Sequence, residues 1–247
     1  MESLWSIAAL TAMAALLLAL WRLDRACRAA NRIEWGRPWM NRVDGLNRIF
    51  CSRYHRLAVA PLPLPAQGAA ILVSNHVSGL GAMILIAASA RPLRFIIARE
   101  EYQRFGLNWL FRAIGCIPVD RTGRAEQAFR EALRALRQGE VVALFPHGGI
   151  HLPADPPRPI KGGAVRMARL AGVPLQPVRI EGIAGEGRVI GSVWRRSRAR
   201  VTAFPLLTPA DTGEDPSRRL QAMLEGRWTG GASEPAVTSN PDAGAPG

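Results

Sequence analysis

Lysine is nearly missing from this sequence: Lys161 stands alone among 32 Lys+Arg residues, and every other basic residue is arginine. A GC-rich coding background heavy in Ala, Arg and Gly produces such a bias, so it carries no chemistry by itself. Cysteine is scarce and odd in number: Cys27, Cys51 and Cys116 are widely spaced. That excludes a disulfide framework and leaves no C-x-x-C pair to hold zinc or run redox chemistry. The three read as reduced, packed thiols in a reducing compartment. Tyrosine occurs twice, and there is no recognition-helix pattern, no zinc finger and no basic strand interleaved with aromatics. No internal repeat stands out. Acidic residues number 19, so the formal net charge is +13. With those recognition patterns absent, nucleic acid is not the expected partner of this charge.

What is present is 247 residues, 48% of them apolar. That is enough for one globular domain with a real core and some appendages, and too apolar for disorder. Leu4 to Trp21 is an uncharged run of eighteen residues, which as a helix spans ~27 Å, close to the hydrocarbon thickness of a bilayer. A cleaved signal peptide wants positive charge before its apolar stretch, whereas here the only charge is Glu2. The arginines follow instead, at 22, 25, 28 and 32. A membrane anchor over residues 1–30, with the rest of the chain on the cytoplasmic side, is therefore expected. A buried or interfacial helix is the alternative. Trp35 and Trp39 suit an interface, and an anionic membrane surface suits the net charge at ~1 kcal/mol per basic residue close to it.

Beyond the anchor the chain alternates. Strands are predicted at 69–75, 94–98, 115–121, 140–145 and 173–180, with one or two more in 192–204. Helices are predicted at 82–90, 124–138 and 161–171, with an amphipathic stretch at 101–114. Phe129, Leu133 and Leu136 recur at helical spacing, and Gly139 is placed to end that helix. Residues 229–247, rich in Gly, Ser, Pro and Ala, read as a disordered tail. The expected architecture is an α/β domain over 31–228, with a mixed, partly parallel sheet flanked by helices and preceded by the anchor helix. In such sheets ligands sit where strands end at their carboxyl side.

Three of those ends carry polar residues. Ser74-Asn75-His76 follows the first strand; His76 there can take a proton near neutral pH, or be a merely exposed or capping histidine, and Asn75 can cap the next helix. Val119-Asp120-Arg121 ends the third, where Arg121 can fork onto a phosphate or pair with a carboxylate. Phe145-Pro146-His147-Gly148-Gly149 follows the fourth, with glycines that let backbone N–H groups converge on an anion. His147 and His151 are four apart, but the intervening glycines and following proline argue against a helix presenting both on one face. No metal site is expected.

In this order and spacing the segments resemble the 1-acylglycerol-3-phosphate acyltransferase family, the phospholipid/glycerol acyltransferases, over roughly Ala70 to Phe204. The N-H-x-x-x-x-D block corresponds to Asn75 through Gly81. G-x-I-x-x-D-R is Gly115-Cys116-Ile117-Pro118-Val119-Asp120-Arg121, F-P-E-G-T-R begins at Phe145, and V-P-x-x-P-V is Val173 to Val178. The family's lysine before a glycine-containing helix matches Lys161. The departures are Gly81 at the dyad carboxylate, His147 at the glutamate and Ile150 at the arginine.

The resemblance implies transfer of an acyl chain from an acyl carrier protein or coenzyme A thioester to a lysophospholipid hydroxyl, in phospholipid biosynthesis at the membrane. His76 is the implied general base. Asn75, Arg121, His147, Gly148 and Lys161 are implied to contact substrate, Arg121 and Lys161 through the acceptor's phosphate. No cofactor is implied beyond the thioester co-substrate. Because Gly81 replaces the carboxylate, a lipid-binding relative with impaired turnover is the alternative, as is an acyltransferase acting on a different lyso-lipid.

Overall fold

The structure is a computed structural model describing residues 2–58, 62–120, 123, 125–208 and 216–230. Its centre is a six-stranded sheet. The strands are β1 (Ala70–Ser74), β2 (Leu93–Ala98), β3 (Ile117–Val119), β4 (Val141–Leu144), β5 (Leu175–Glu181) and β6 (Arg200–Ala203), in the order β3-β2-β4-β1-β5-β6. All neighbours pair in parallel except β5 and β6, so the sheet is mixed and mostly parallel. The run Ala70–Ser74 is buried at every position, as a central parallel strand covered on both faces must be. Pro118 falls in β3, an edge strand, where one missing ladder donor is tolerated.

Two layers of helices cover the sheet, and side chains alternate between them. Ile71, Val73, Val142 and Leu175 face one layer, built from α6 (Ala125–Arg137), α7 (Gly163–Ala171) and α8 (Pro216–Glu225). Leu72, Val141, Ala143, Val178 and Ile180 face the other, built around α3 (Gly81–Ala88). The stretch 101–114, expected as one amphipathic segment, is two short helices, α4 (Arg99–Tyr102) and α5 (Asn108–Ile114), parted at Gly106 with φ +80°. Of 192–204 only Arg200–Ala203 is strand; the preceding residues turn. Helix α8 was not foreseen. Its ten residues bury Leu220, Met223 and Leu224, a pattern too short to stand out in a polar stretch.

The N-terminal run forms α1 (Glu2–Ala30), long and apolar enough to cross a membrane and almost wholly exposed. It rests on α2 (Pro38–Ile49), where a Cβ on Gly45 would overlap the Cys27 carbonyl. Asp24 pairs with Arg42 across the same contact. Buried Arg48 pairs with Asp44 at 2.6 Å and donates to the carbonyls of Ala87, Ile86 and Ser89 at the end of α3. A guanidinium on the last carbonyls of a helix satisfies groups that the helix leaves open, and here it ties α2, and through it α1, to the domain. The expected tail falls largely in 231–247, outside the described residues.

Candidate active site

Strands β1 and β4 are neighbours, yet the helices that follow them, α3 and α7, lie on opposite faces of the sheet. The connections part at that point, which in open α/β sheets is where a ligand-binding crevice lies outside the strands' carboxyl ends. His76 stands on one lip and His147 on the other. The lips are joined, since the His151 N–H donates to the His76 carbonyl at 2.8 Å.

On the first lip Asn75 accepts from the Ile180 N–H at 2.7 Å and donates to the Ile180 carbonyl at 2.9 Å. The last paired residues of β1 and β5 are Ser74 and Val178. The Asn75 amide thus takes over the ladder one step further, and the backbone is free to turn away. Both ends of the amide are engaged by backbone. These two bonds fix the backbone from which His76 follows.

The His76 ring stacks on Phe145, with centroids 4.1 Å apart and planes 16° apart. It precedes α3, whose first residue is Gly81. That order matters, because residues five apart within one helix point ~140° away from each other. A Cβ on Gly81 would lie 3.5 Å from Ile180 Cδ1 and 3.6 Å from the Phe145 ring. The position has room for a side chain to begin, but the nearest atoms are apolar.

On the second lip the Gly148 N–H donates to the Phe145 carbonyl at 3.0 Å. That donor is spent within the turn and is not available to an anion. Gly148 has φ +72°, and its Cβ would lie 2.8 Å from Lys161 Nζ. The left-handed backbone favours glycine, and any Cβ there would also push the lysine end aside. The Lys161 N–H in turn donates to the Pro146 carbonyl at 2.9 Å, which fixes the base of that side chain beside the loop.

His147 is 4% exposed, and neither ring nitrogen has a hydrogen-bond partner. Burial, with the nearby His151 and Arg158, pushes its pKa below the ordinary value against the opposing pull of Glu225. The ring stacks on His151 at 4.5 Å. The reasoning that only a helix would bring these two together therefore fails: the turns at Gly148 and beyond do it in a loop. Glu225, at the end of α8, completes a cluster in which one ligand atom from each residue lies within 4.8 Å of the others. Sequence reasoning missed Glu225, which belongs to no motif and is placed only by the packing of α8.

Asp120 follows β3 on the same rim, three strand spacings from β1, or roughly 14 Å. Arg121 lies outside the described residues. Burial pushes the Cys51 and Cys116 thiols up to about 12, so neither supplies a thiolate nucleophile at neutral pH.

The sequence model of the Acyltransferase family matches residues 58–181, which takes in β1 through β5 and both lips of the crevice. The chain belongs to this acyltransferase family. Among curated relatives, the 1-acyl-sn-glycerol-3-phosphate acyltransferase of Bacillus subtilis is 26% identical over 165 residues, covering 66% of this chain and 79% of the relative. A probable 1-acyl-sn-glycerol-3-phosphate acyltransferase of Mycoplasma pneumoniae is 33% identical over 134 residues, covering 51% of this chain and 49% of that protein. The crystal structure of the 1-acyl-sn-glycerophosphate acyltransferase of Thermotoga maritima superposes with a TM-score of 0.59 at 20% identity, covering 75% of this chain and 78% of that one. At that identity the superposition establishes the fold alone. Family membership supports O-acyl transfer as the class of reaction, and the resemblance read from the motifs holds.

Proposed function

We propose that this acyltransferase moves an acyl chain from an acyl carrier protein or coenzyme A thioester to the free hydroxyl of a lysophospholipid such as 1-acylglycerol-3-phosphate. The observation that carries the reading is His76 at the mouth of the switch-point crevice, on a backbone held from both sides by Asn75 and His151. In the reaction His76 takes the hydroxyl proton as the lipid oxygen attacks the thioester carbonyl carbon. The tetrahedral intermediate collapses with cleavage of the C–S bond, and the departing thiolate receives the proton from the imidazolium. The new ester and the free thiol are the products. No acyl-enzyme is needed, and no residue sits in a nucleophile-elbow pattern.

Arg121 and Lys161 are assigned to the acceptor's phosphate, as cations suited to an anionic head group. The membrane is assigned to the side of α1. There the exposed apolar helix lies near an aromatic patch in which Trp39 and Trp109 meet at 5.3 Å, with Phe105 exposed beside them. The arginines after the apolar run support a cytoplasmic domain by the positive-inside rule.

Product analysis with both thioester donors across a panel of lyso-lipids tests this. Wild type yields diacyl lipid with at least one pair, and His76→Ala loses about 10²–10⁴-fold in rate, the range for a general base. Equal product from both proteins would remove His76 from the mechanism. A second reading, a relative that binds acyl lipid without turnover, is favoured by the apolar surroundings of Gly81. It predicts saturable lipid binding with no product at any enzyme concentration.

A further inference from the structure

We propose that His147, His151 and Glu225 form a binding site for a divalent transition-metal cation, with Zn²⁺ the ion best matched to the donors. The three ligand atoms already lie within 4.8 Å of one another. Tetrahedral zinc with bonds near 2.0–2.2 Å needs ligand atoms roughly 3.3 Å apart. Closure by about 1.5 Å is a side-chain adjustment for His151 and Glu225, which are only partly buried.

The decisive residue is His147. It is buried with both nitrogens unpartnered, and a buried polar group left unsatisfied costs roughly 1–3 kcal/mol. A metal–nitrogen bond removes that deficit at one of the two nitrogens, and burial disfavours the protonated ring that would compete with the metal. The other two donors are oriented from behind. Asp155 Oδ2 lies 3.6 Å from His151 Nδ1, and that same oxygen is held by the Leu152 N–H at 2.8 Å. That gap is longer than a hydrogen bond; closing it by a few tenths of an ångström would give the outer-shell carboxylate that directs the other nitrogen to a metal. Glu225 receives Gln221 Nε2 at 2.7 Å and the Arg227 guanidinium. These bonds outweigh its burial and keep the carboxylate ionised.

Two imidazoles and one carboxylate suit zinc-like ions, while Mg²⁺ and Ca²⁺ favour all-oxygen shells. Three protein donors leave a fourth position for water or another oxygen. The bound ion would tie the end of α8 to the loop after β4, and so brace the lip whose His151 N–H holds the His76 carbonyl. The site does not depend on acyl transfer.

The test uses the full chain in detergent, without a histidine tag and stripped with chelator. Zn²⁺ is titrated calorimetrically, and Co²⁺ replaces it for visible spectroscopy. One Zn²⁺ per chain, four-coordinate Co²⁺ bands and a Zn²⁺-dependent rise in Tm are expected. Glu225→Gln and His151→Ala each weaken binding at least about tenfold and abolish the rise in Tm, whereas His76→Ala binds as wild type. Circular dichroism selects the folded variants. Failure of folded wild type to bind Zn²⁺ saturably, or binding unchanged in both variants, overturns the proposal.

Discussion

The loops after β1 and β4 face each other across one crevice and treat their polar groups in opposite ways. After β1, the Asn75 amide is satisfied at both ends by Ile180, and the His76 ring lies flat on Phe145. After β4, the His147 ring is more deeply buried yet has no hydrogen bond, and Lys161 is folded over a left-handed glycine. A buried polar group that the protein satisfies is there to hold something in place. One that the protein buries without a partner is a cost, and it persists where a ligand offsets it. The first lip thus spends its asparagine on backbone, while the second leaves its histidine unsatisfied.

The largest effect that would break this contrast is expected at Asn75. Asn75→Ala strands both Ile180 backbone groups, costs about 2–6 kcal/mol at roughly 1–3 per unsatisfied group, and lowers kcat with Tm. Asn75→Asp, which keeps the acceptor and loses the donor, falls between. Thermal melts beside product assays read both, and an unchanged melt for Asn75→Ala would show that the amide does not brace the loop.

Gly81→Asp comes next. Its carboxylate must enter space bounded by Ile180 and Phe145, so a loss of about 1–3 kcal/mol and a slower reaction are expected. A faster reaction would instead reveal that His76 was short of a carboxylate. Gly148→Ala is milder, at about 1–2 kcal/mol for a left-handed residue with a Cβ. Because it also displaces Lys161, KM for a phosphate-bearing acceptor should rise more than kcat falls. A proportionate change in both would detach Lys161 from acceptor binding.

The smallest effect is a pH dependence in metal-free protein. Folded His147 has a pKa below its ordinary 6.5, so the unfolded chain binds the proton first on acidification. The stabilisation is complete above 6.5 and declines as pH falls through the lowered folded value. Urea melts across that interval should show the decline, and His147→Gln should flatten it.

Much of the fold was legible because its signals are local. Buried parallel strands are short apolar runs bounded by turns, and five of the six were placed within a residue or two. Helix α6 is legible from the helical spacing of Phe129, Leu133 and Leu136 and the breaker Gly139 behind it. The misses share a cause. α2 and α8 are polar segments with a few apolar residues, and what makes them helices is the surface they pack on: Arg48 reaching the end of α3, and Leu220 and Met223 buried beneath α8. For the site, motif order marked His76, Asn75, His147, Gly148 and Lys161 as worth attention, but not what each touches. The bonds of Asn75 to Ile180 join residues 105 apart in the chain, and no local pattern signals them.

By itself the sequence determined the alternating α/β plan, the apolar N-terminal helix and the family, because each rests on periodicity, composition or short motifs that act over a few residues. Tertiary structure alone decided that β1 and β4 would be neighbours with helices on opposite faces, that Gly81 would look onto an aromatic ring, and that Glu225 would arrive beside two stacked histidines. Those outcomes depend on contacts between residues far apart in the chain, settled by which apolar faces bury together, and local pattern carries no record of them.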